Sequence, residues 1–160
     1  LDLRDLQDFA PRLQALRWHA QIWANNEVIA ANVAMLRSLD LQLVFDHLGM
    51  VDITRGTVHP DFQCLLQLLR DGRAWVKLTA FRNSRSGDSR YGDVRPFHDA
   101  LIAANPRQLL WGSDWPFLGM TGENRPTTAH VFGVFDEWLQ DAALRELILV
   151  TNPTRLYGFS

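Results

Sequence analysis

Apolar residues in this chain gather into four short runs: Arg17–Ala24, Leu41–His47, Ala74–Ala80 and Gln108–Ser113. Each is rich in aliphatic or aromatic residues, the composition of strands buried on both faces. Between the runs the apolar period lengthens to that of a helix. Ile29, Val33 and Leu36 recur at i, i+4 and i+7 behind Asn25 and Asn26, residues suited to capping. Pro60 suits a first helical turn, Leu65, Leu66 and Leu69 form a stripe, and Gly72 suits a stop. Phe97, Leu101 and Ala104 repeat the pattern behind Asp93 until Asn105-Pro106 ends it. Phe132, Phe135 and Leu139 make a further stripe, and Leu144, Leu147 and Ile148 another. Asn152-Pro153 reads as the cap and first turn of a short last helix, stopped by Gly158.

The pattern is strand then helix, repeated, with strand starts roughly 24 to 34 residues apart. It predicts an α/β fold with a parallel sheet covered by helices. Two closures compete, an open doubly wound sheet and a piece of a (β/α)8 barrel. No glycine-rich phosphate fingerprint follows any strand, which weakens the nucleotide-binding form of the first. In a barrel the catalytic groups sit where strands end. The polar residues fall there: Asp46-His47-Leu48-Gly49 after "LQLVF", Arg82-Asn83-Ser84 after "WVKLTAF", and Ser113-Asp114 after "LLWG".

Composition narrows the function classes. Of 160 residues, 47% are hydrophobic and 21% charged, which marks a globular chain. A formal net charge of −2 supplies no electrostatic footprint for nucleic acid or an anionic membrane. Cys64 is the only cysteine, so neither a disulfide framework nor a cysteine metal cluster is expected, and a reducing cytoplasm fits. No apolar run approaches the roughly 20 residues that span a bilayer. The chain begins at Leu1 rather than Met, and the expectation is a piece of something longer.

Each polar residue also has a plainer reading. Asp114 alone is equally a helix cap or loop acid, His47 a half-buried histidine bonded to backbone, and Arg82 a surface arginine. His19 reads as core or bottom-face packing, and His59, His98 and His130 as surface residues. The convergence of three strand ends carries more than any one of them.

"FDHLG", "WVKLTAFRNS", "LLWGSDWPF" and the closing "NPTRLYGF" resemble, in order and rough spacing, the back half of the amidohydrolase-related TIM-barrel hydrolases. The branch they resemble contains the 2-pyrone-4,6-dicarboxylate lactonases. The resemblance implies that Asp114 is the general base that activates water. It implies that His47 either binds a metal or polarises the scissile carbonyl. Arg82, or Arg85 as the alternative in the same loop, falls near an arginine that holds a substrate carboxylate, a task suited to a guanidinium fork. Trp23 falls where the lactonases place a pocket tyrosine, and Phe117 where a histidine often follows "DWP". Trp23 and Trp115, at strand ends, are placed to wall a pocket.

The family's first strand ends in His-x-His, and no such triplet occurs here. Counting back from Asp114 makes the four strands about the fifth to eighth, the C-terminal half of a barrel. Such a half would leave Val44, Val76 and Leu110 incompletely covered and two sheet edges open, so it would pair with a missing N-terminal half or self-associate. The expected reaction is opening of a lactone or related ester in a small carboxylated molecule. The expected cofactor is none or one zinc-like divalent ion, with His47 and Asp114 as its ligands if one is used. The alternatives are a metal-dependent decarboxylase and an inactive fragment or assembly partner.

Overall fold

In the computed structural model, which describes residues 2–122 and 125–159, the four apolar runs form one parallel sheet. The strands are β1 (Ala20–Ile22), β2 (Leu43–Phe45), β3 (Ala74–Leu78) and β4 (Leu109–Trp111). Each is shorter than its apolar run, because the flanking polar residues turn away to build the rims.

The spatial order is β1-β2-β3-β4, the order of the chain. Gln21 lies beside Val44, Val44 beside Trp75, and Lys77 beside Leu110. A doubly wound sheet reverses its order at a switch point, and these four strands contain no reversal. The sheet advances one way, as an arc of a barrel does.

The two faces of that arc differ. Ile22, Phe45, Val76, Leu78 and Leu109 face the helices and share one core with Ile29, Leu36, Phe62, Leu65, Leu69, Phe97 and Leu101. These come from helices Asn26–Ala31, Val33–Ser38, Pro60–Arg70 and Arg95–Ala104. The opposite face carries a smaller cluster, Val44, Trp75 and Leu110, with Leu156 against it. Val44, Val76 and Leu110 are therefore buried, at 0%, 0% and 1% exposure, contrary to the expectation that they would be incompletely covered. Val76 points to the helices. Over the inner pair, Leu156 and Arg155 of the last helix, Asn152–Tyr157, fold inward, with the Arg155 guanidinium 4.6 Å from the Trp75 ring.

Other local expectations shift by a residue or a role. Asn152 does not cap the last helix. It is fully buried, and its Nδ2 donates to the carbonyls of Pro106 and Leu109 at 2.8 and 2.7 Å, fastening the helix to the entry of β4. In helix Thr128–Trp138 the buried stripe is Val131, Val134, Phe135 and Trp138, while Phe132 is part-exposed. No helix among the described residues is long and apolar enough to cross a membrane.

His98 is a clear departure, since it is 2% exposed rather than on the surface. Its ring packs edge-on to Trp138 at 5.2 Å, and its Nδ1 meets Asp99 Oδ1 at 3.1 Å. Burial holds its pKa below the ordinary value of about 6.5, against the opposing pull of Asp99. The unfolded chain therefore binds this proton more readily than the folded one. Its contribution is intact above pH about 6.5 and is lost as pH falls from there through the lowered folded value. His98→Phe is expected to flatten the loss of unfolding free energy between pH 7 and 5, measured by urea titration. An unchanged slope would assign the proton elsewhere.

Candidate active site

Three strand ends meet on one rim. β2 leaves the sheet through Asp46 into a turn whose four residues all have positive φ: His47 at 49°, Leu48 at 54°, Gly49 at 68° and Met50 at 47°. For the three that are not glycine, such a left-handed conformation costs roughly 1 to 2 kcal/mol each. Strain of this kind persists only where the surroundings hold it. Here Leu48 is fully buried, the Gly49 N–H donates to the Asp46 carbonyl at 2.8 Å, and Asn83 Nδ2 donates to the His47 carbonyl at 2.8 Å. Asn83 is itself 4% exposed, so the loop after β3 clamps the turn that presents His47.

Gly49 is required twice, by its φ and by space. A Cβ there would lie 2.5 Å from Leu65 Cδ2, in a fully buried part of the core. Gly49→Ala is expected to destabilise the fold by roughly 2 kcal/mol or more, read from urea unfolding. A loss under about 0.5 kcal/mol, the size of an ordinary surface change, would contradict this account of the turn.

β4 ends through Gly112 and Ser113 at Asp114, whose φ is 59°. Thr79 Oγ1 donates to the Gly112 carbonyl at 2.8 Å, and the Phe117 N–H closes the next turn onto the Asp114 carbonyl at 2.7 Å. The loop after β3 brings Arg82 across. Its Nε donates to Asp114 Oδ2 at 2.5 Å, and its Nη2 to the Leu118 carbonyl at 2.8 Å. His47 Nε2 faces the other oxygen, Asp114 Oδ1, at 3.6 Å, too long for a hydrogen bond. Burial lowers the His47 pKa below its ordinary range, outweighing the opposite pull of Asp114 and Asp46, so the ring is neutral at pH 7.

The structure therefore brings together His47, Arg82 and Asp114, three residues from three strand ends. Arg85 lies in the same loop as Arg82. Both border a cavity of about 200 Å³, with Asn25, Arg55 and His59 on its other walls. Neither Trp23 nor Trp115 lines that cavity. Trp23 is 74% exposed and lies in an apolar groove along β1 with Leu3, Leu6 and Phe9, and Trp115 is 71% exposed. Phe117 is buried against Phe81 and Val131 instead of facing the site.

One layer below lies a network that the apolar pattern conceals. Lys77 Nζ donates to Gln21 Oε1 at 2.7 Å and pairs with Asp46 Oδ1 at 3.2 Å, while Gln21 Nε2 donates to Asp46 Oδ2 at 2.9 Å. It ties β1, β2 and β3 together directly beneath His47. The one signal for it is a lysine in the middle of the apolar run "WVKLTA". As metal donors, His47 and Asp114 stand as a pair. Among the described residues no three His, Cys, Asp or Glu side chains group closely enough to hold an ion. A structural or catalytic zinc takes three or four protein ligands.

Comparison with known proteins places the chain by family and fold. The chain is 38% identical over 126 residues to a 4-sulfomuconolactone hydrolase of Rhizobium radiobacter, covering 78% of this chain and 42% of that protein. It is 28% identical to a 2-pyrone-4,6-dicarboxylate hydrolase of Comamonas testosteroni, over 96% of this chain and 53% of the relative. It is 27% identical to a D-galactarolactone isomerase of Agrobacterium fabrum, over 100% and 55%. The chain thus spans about half the length of the curated relatives it matches. An apo crystal structure from Agrobacterium tumefaciens superposes with a TM-score of 0.88 at 27% identity, covering 99% of this chain and 56% of that one. A zinc-bound amidohydrolase from Burkholderia multivorans shares the fold, with a TM-score of 0.77 at 22% identity over 99% and 61%. The amidohydrolase family profile matches residues 2–159, nearly the whole length. The chain belongs to the amidohydrolase family.

Proposed function

We propose that this chain carries the water-activating part of a hydrolase that opens a lactone, or a related ester, in a small carboxylated molecule. The observation behind the proposal is the meeting of His47, Arg82 and Asp114 at three strand ends. Asp114 takes a proton from water as the water attacks the acyl carbon. His47, neutral and half-buried, donates an N–H to the carbonyl oxygen as negative charge develops there. Arg82 takes the substrate's carboxylate. As the acyl C–O bond breaks, protonated Asp114 gives its proton to the leaving oxygen, so the ring opens to a hydroxyl group and a carboxylic acid that ionises and releases one proton. The sulfomuconolactone and pyrone dicarboxylate hydrolases among the relatives act on acidic cyclic esters by their names, which supports this substrate class.

Two donors, one already in contact with a guanidinium, do not make a metal site by themselves. No step of this proposal runs through an ion. We also propose that β1 to β4 are the fifth to eighth strands of a (β/α)8 barrel, with the remaining groups supplied by an N-terminal half. The one-way strand order and the roughly half-length matches support that arrangement. The relative named as a lactone isomerase favours a second reading, in which the acyl group passes to another hydroxyl of the substrate rather than to water. Acid release from a carboxylated lactone, followed by titration at constant pH with the barrel complete, tests the first reading. Steady acid release supports it, and rearrangement without acid release supports the second.

A further inference from the structure

Two shielded polar atoms lie in the core behind β4. Nε1 of Trp111 and Nε2 of His98 are both buried, and no described residue hydrogen-bonds to either. A buried polar group left unpaired costs its full desolvation, so folded proteins satisfy nearly all of them. Both residues line one small cavity of about 10 Å³. Leu78, Val134 and Phe135 on its other walls have no polar side-chain atom to offer.

The two atoms are complementary. An indole nitrogen can only donate. Burial keeps His98 neutral at pH 7, so its ring carries one proton. That proton sits on Nδ1, which is 3.1 Å from Asp99 Oδ1, because a carboxylate can only accept. Nε2 is then a bare acceptor. A donor and an acceptor that do not reach each other border the same space.

We propose that this cavity is a binding site for a single water molecule, which accepts from Trp111 Nε1 and donates to His98 Nε2. A volume of about 10 Å³ is the least that holds one water, and two polar partners are the fewest that keep it there. Nothing larger fits. The bridge joins helix Arg95–Ala104 to β4 at its last residue, three positions before Asp114. Direct packing already brings both rings against Phe135, at 6.3 Å for His98 and 6.1 Å for Trp111. The water adds a directional tie between the strand that delivers Asp114 and the helix behind it.

Nuclear magnetic resonance on the ¹⁵N-labelled protein, with the barrel complete, tests the site directly. The indole N–H of Trp111, assigned through its own backbone, is expected to show a cross-peak at the water frequency. Its Overhauser effects in the laboratory and rotating frames should have opposite signs, the signature of a long-resident water. The imidazole ¹⁵N shifts of His98 should place the ring proton on Nδ1. Both spectra are of the parent protein, so they decide the matter even if a variant does not fold. In His98→Phe the water cross-peak is expected to vanish. Urea unfolding adds a cycle: Trp111→Phe and His98→Phe together should cost less than the product of the two single losses, by roughly fivefold in the folding constant. An upfield-shifted indole N–H with no water cross-peak would overturn the proposal, because the face of Phe132, at 5.3 Å, would then be its partner. A ring proton on Nε2, a cross-peak that survives in His98→Phe, or additive losses would overturn it as well.

Discussion

Asp114→Asn is expected to lower kcat on a carboxylated lactone by about 10²- to 10⁴-fold, the usual loss for a missing general base. The replacement keeps the size and planarity of the side chain and removes its ability to accept a proton. The local backbone does not depend on the charge. The turn is closed by the Phe117 N–H on the Asp114 carbonyl, and the Gly112 carbonyl is held by Thr79. Thermal unfolding of the variant should therefore stay close to that of the parent, and KM should not rise. A variant that keeps its rate would remove Asp114 from the chemistry. One that loses rate only by unfolding would make it a structural acid.

The second large effect belongs to Arg82. Arg82→Met keeps most of the stem and removes the fork, so kcat/KM for an acidic lactone is expected to fall roughly 10- to 150-fold, the worth of a hydrogen bond to a charged group. The rate on a neutral ester of the same lactone is not expected to fall, because that substrate never used the guanidinium. Parallel losses on both substrates would mean that the bond from Arg82 to the Leu118 carbonyl, which pins the loop after Asp114, is the whole of its role.

What the chain's pattern revealed, and what it hid, follow from how far each signal reaches. The four strands were legible because a strand buried on both faces must be apolar along its length, and "LVF" and "LLW" are. His47, Arg82 and Asp114 were legible as candidates because they break such runs at the end that a parallel sheet turns toward its site. Their convergence was not, since nothing local says that Arg82 reaches Asp114 rather than solvent. The left-handed turn at His47–Met50 was hidden because only Gly49 advertises positive φ, while the other three residues are held there by Asn83 and the core. His98 misled because a histidine in an amphipathic helix is read as polar, yet its ring fills an aromatic niche beside Trp138. Trp23 and Trp115 are largely exposed in this chain, at strand ends as their positions in the sequence imply.

The most direct test of the account follows the oxygen. With the barrel complete and a carboxylated lactone as substrate, turnover in H₂¹⁸O separates attack by water from every alternative reaction. Water activated by Asp114 must place one ¹⁸O in the newly formed carboxylate of the ring-opened product, with no carbon dioxide released and with incorporation abolished in Asp114→Asn. Rearranged lactone without label, or release of carbon dioxide, would contradict the assignment of this site to hydrolysis.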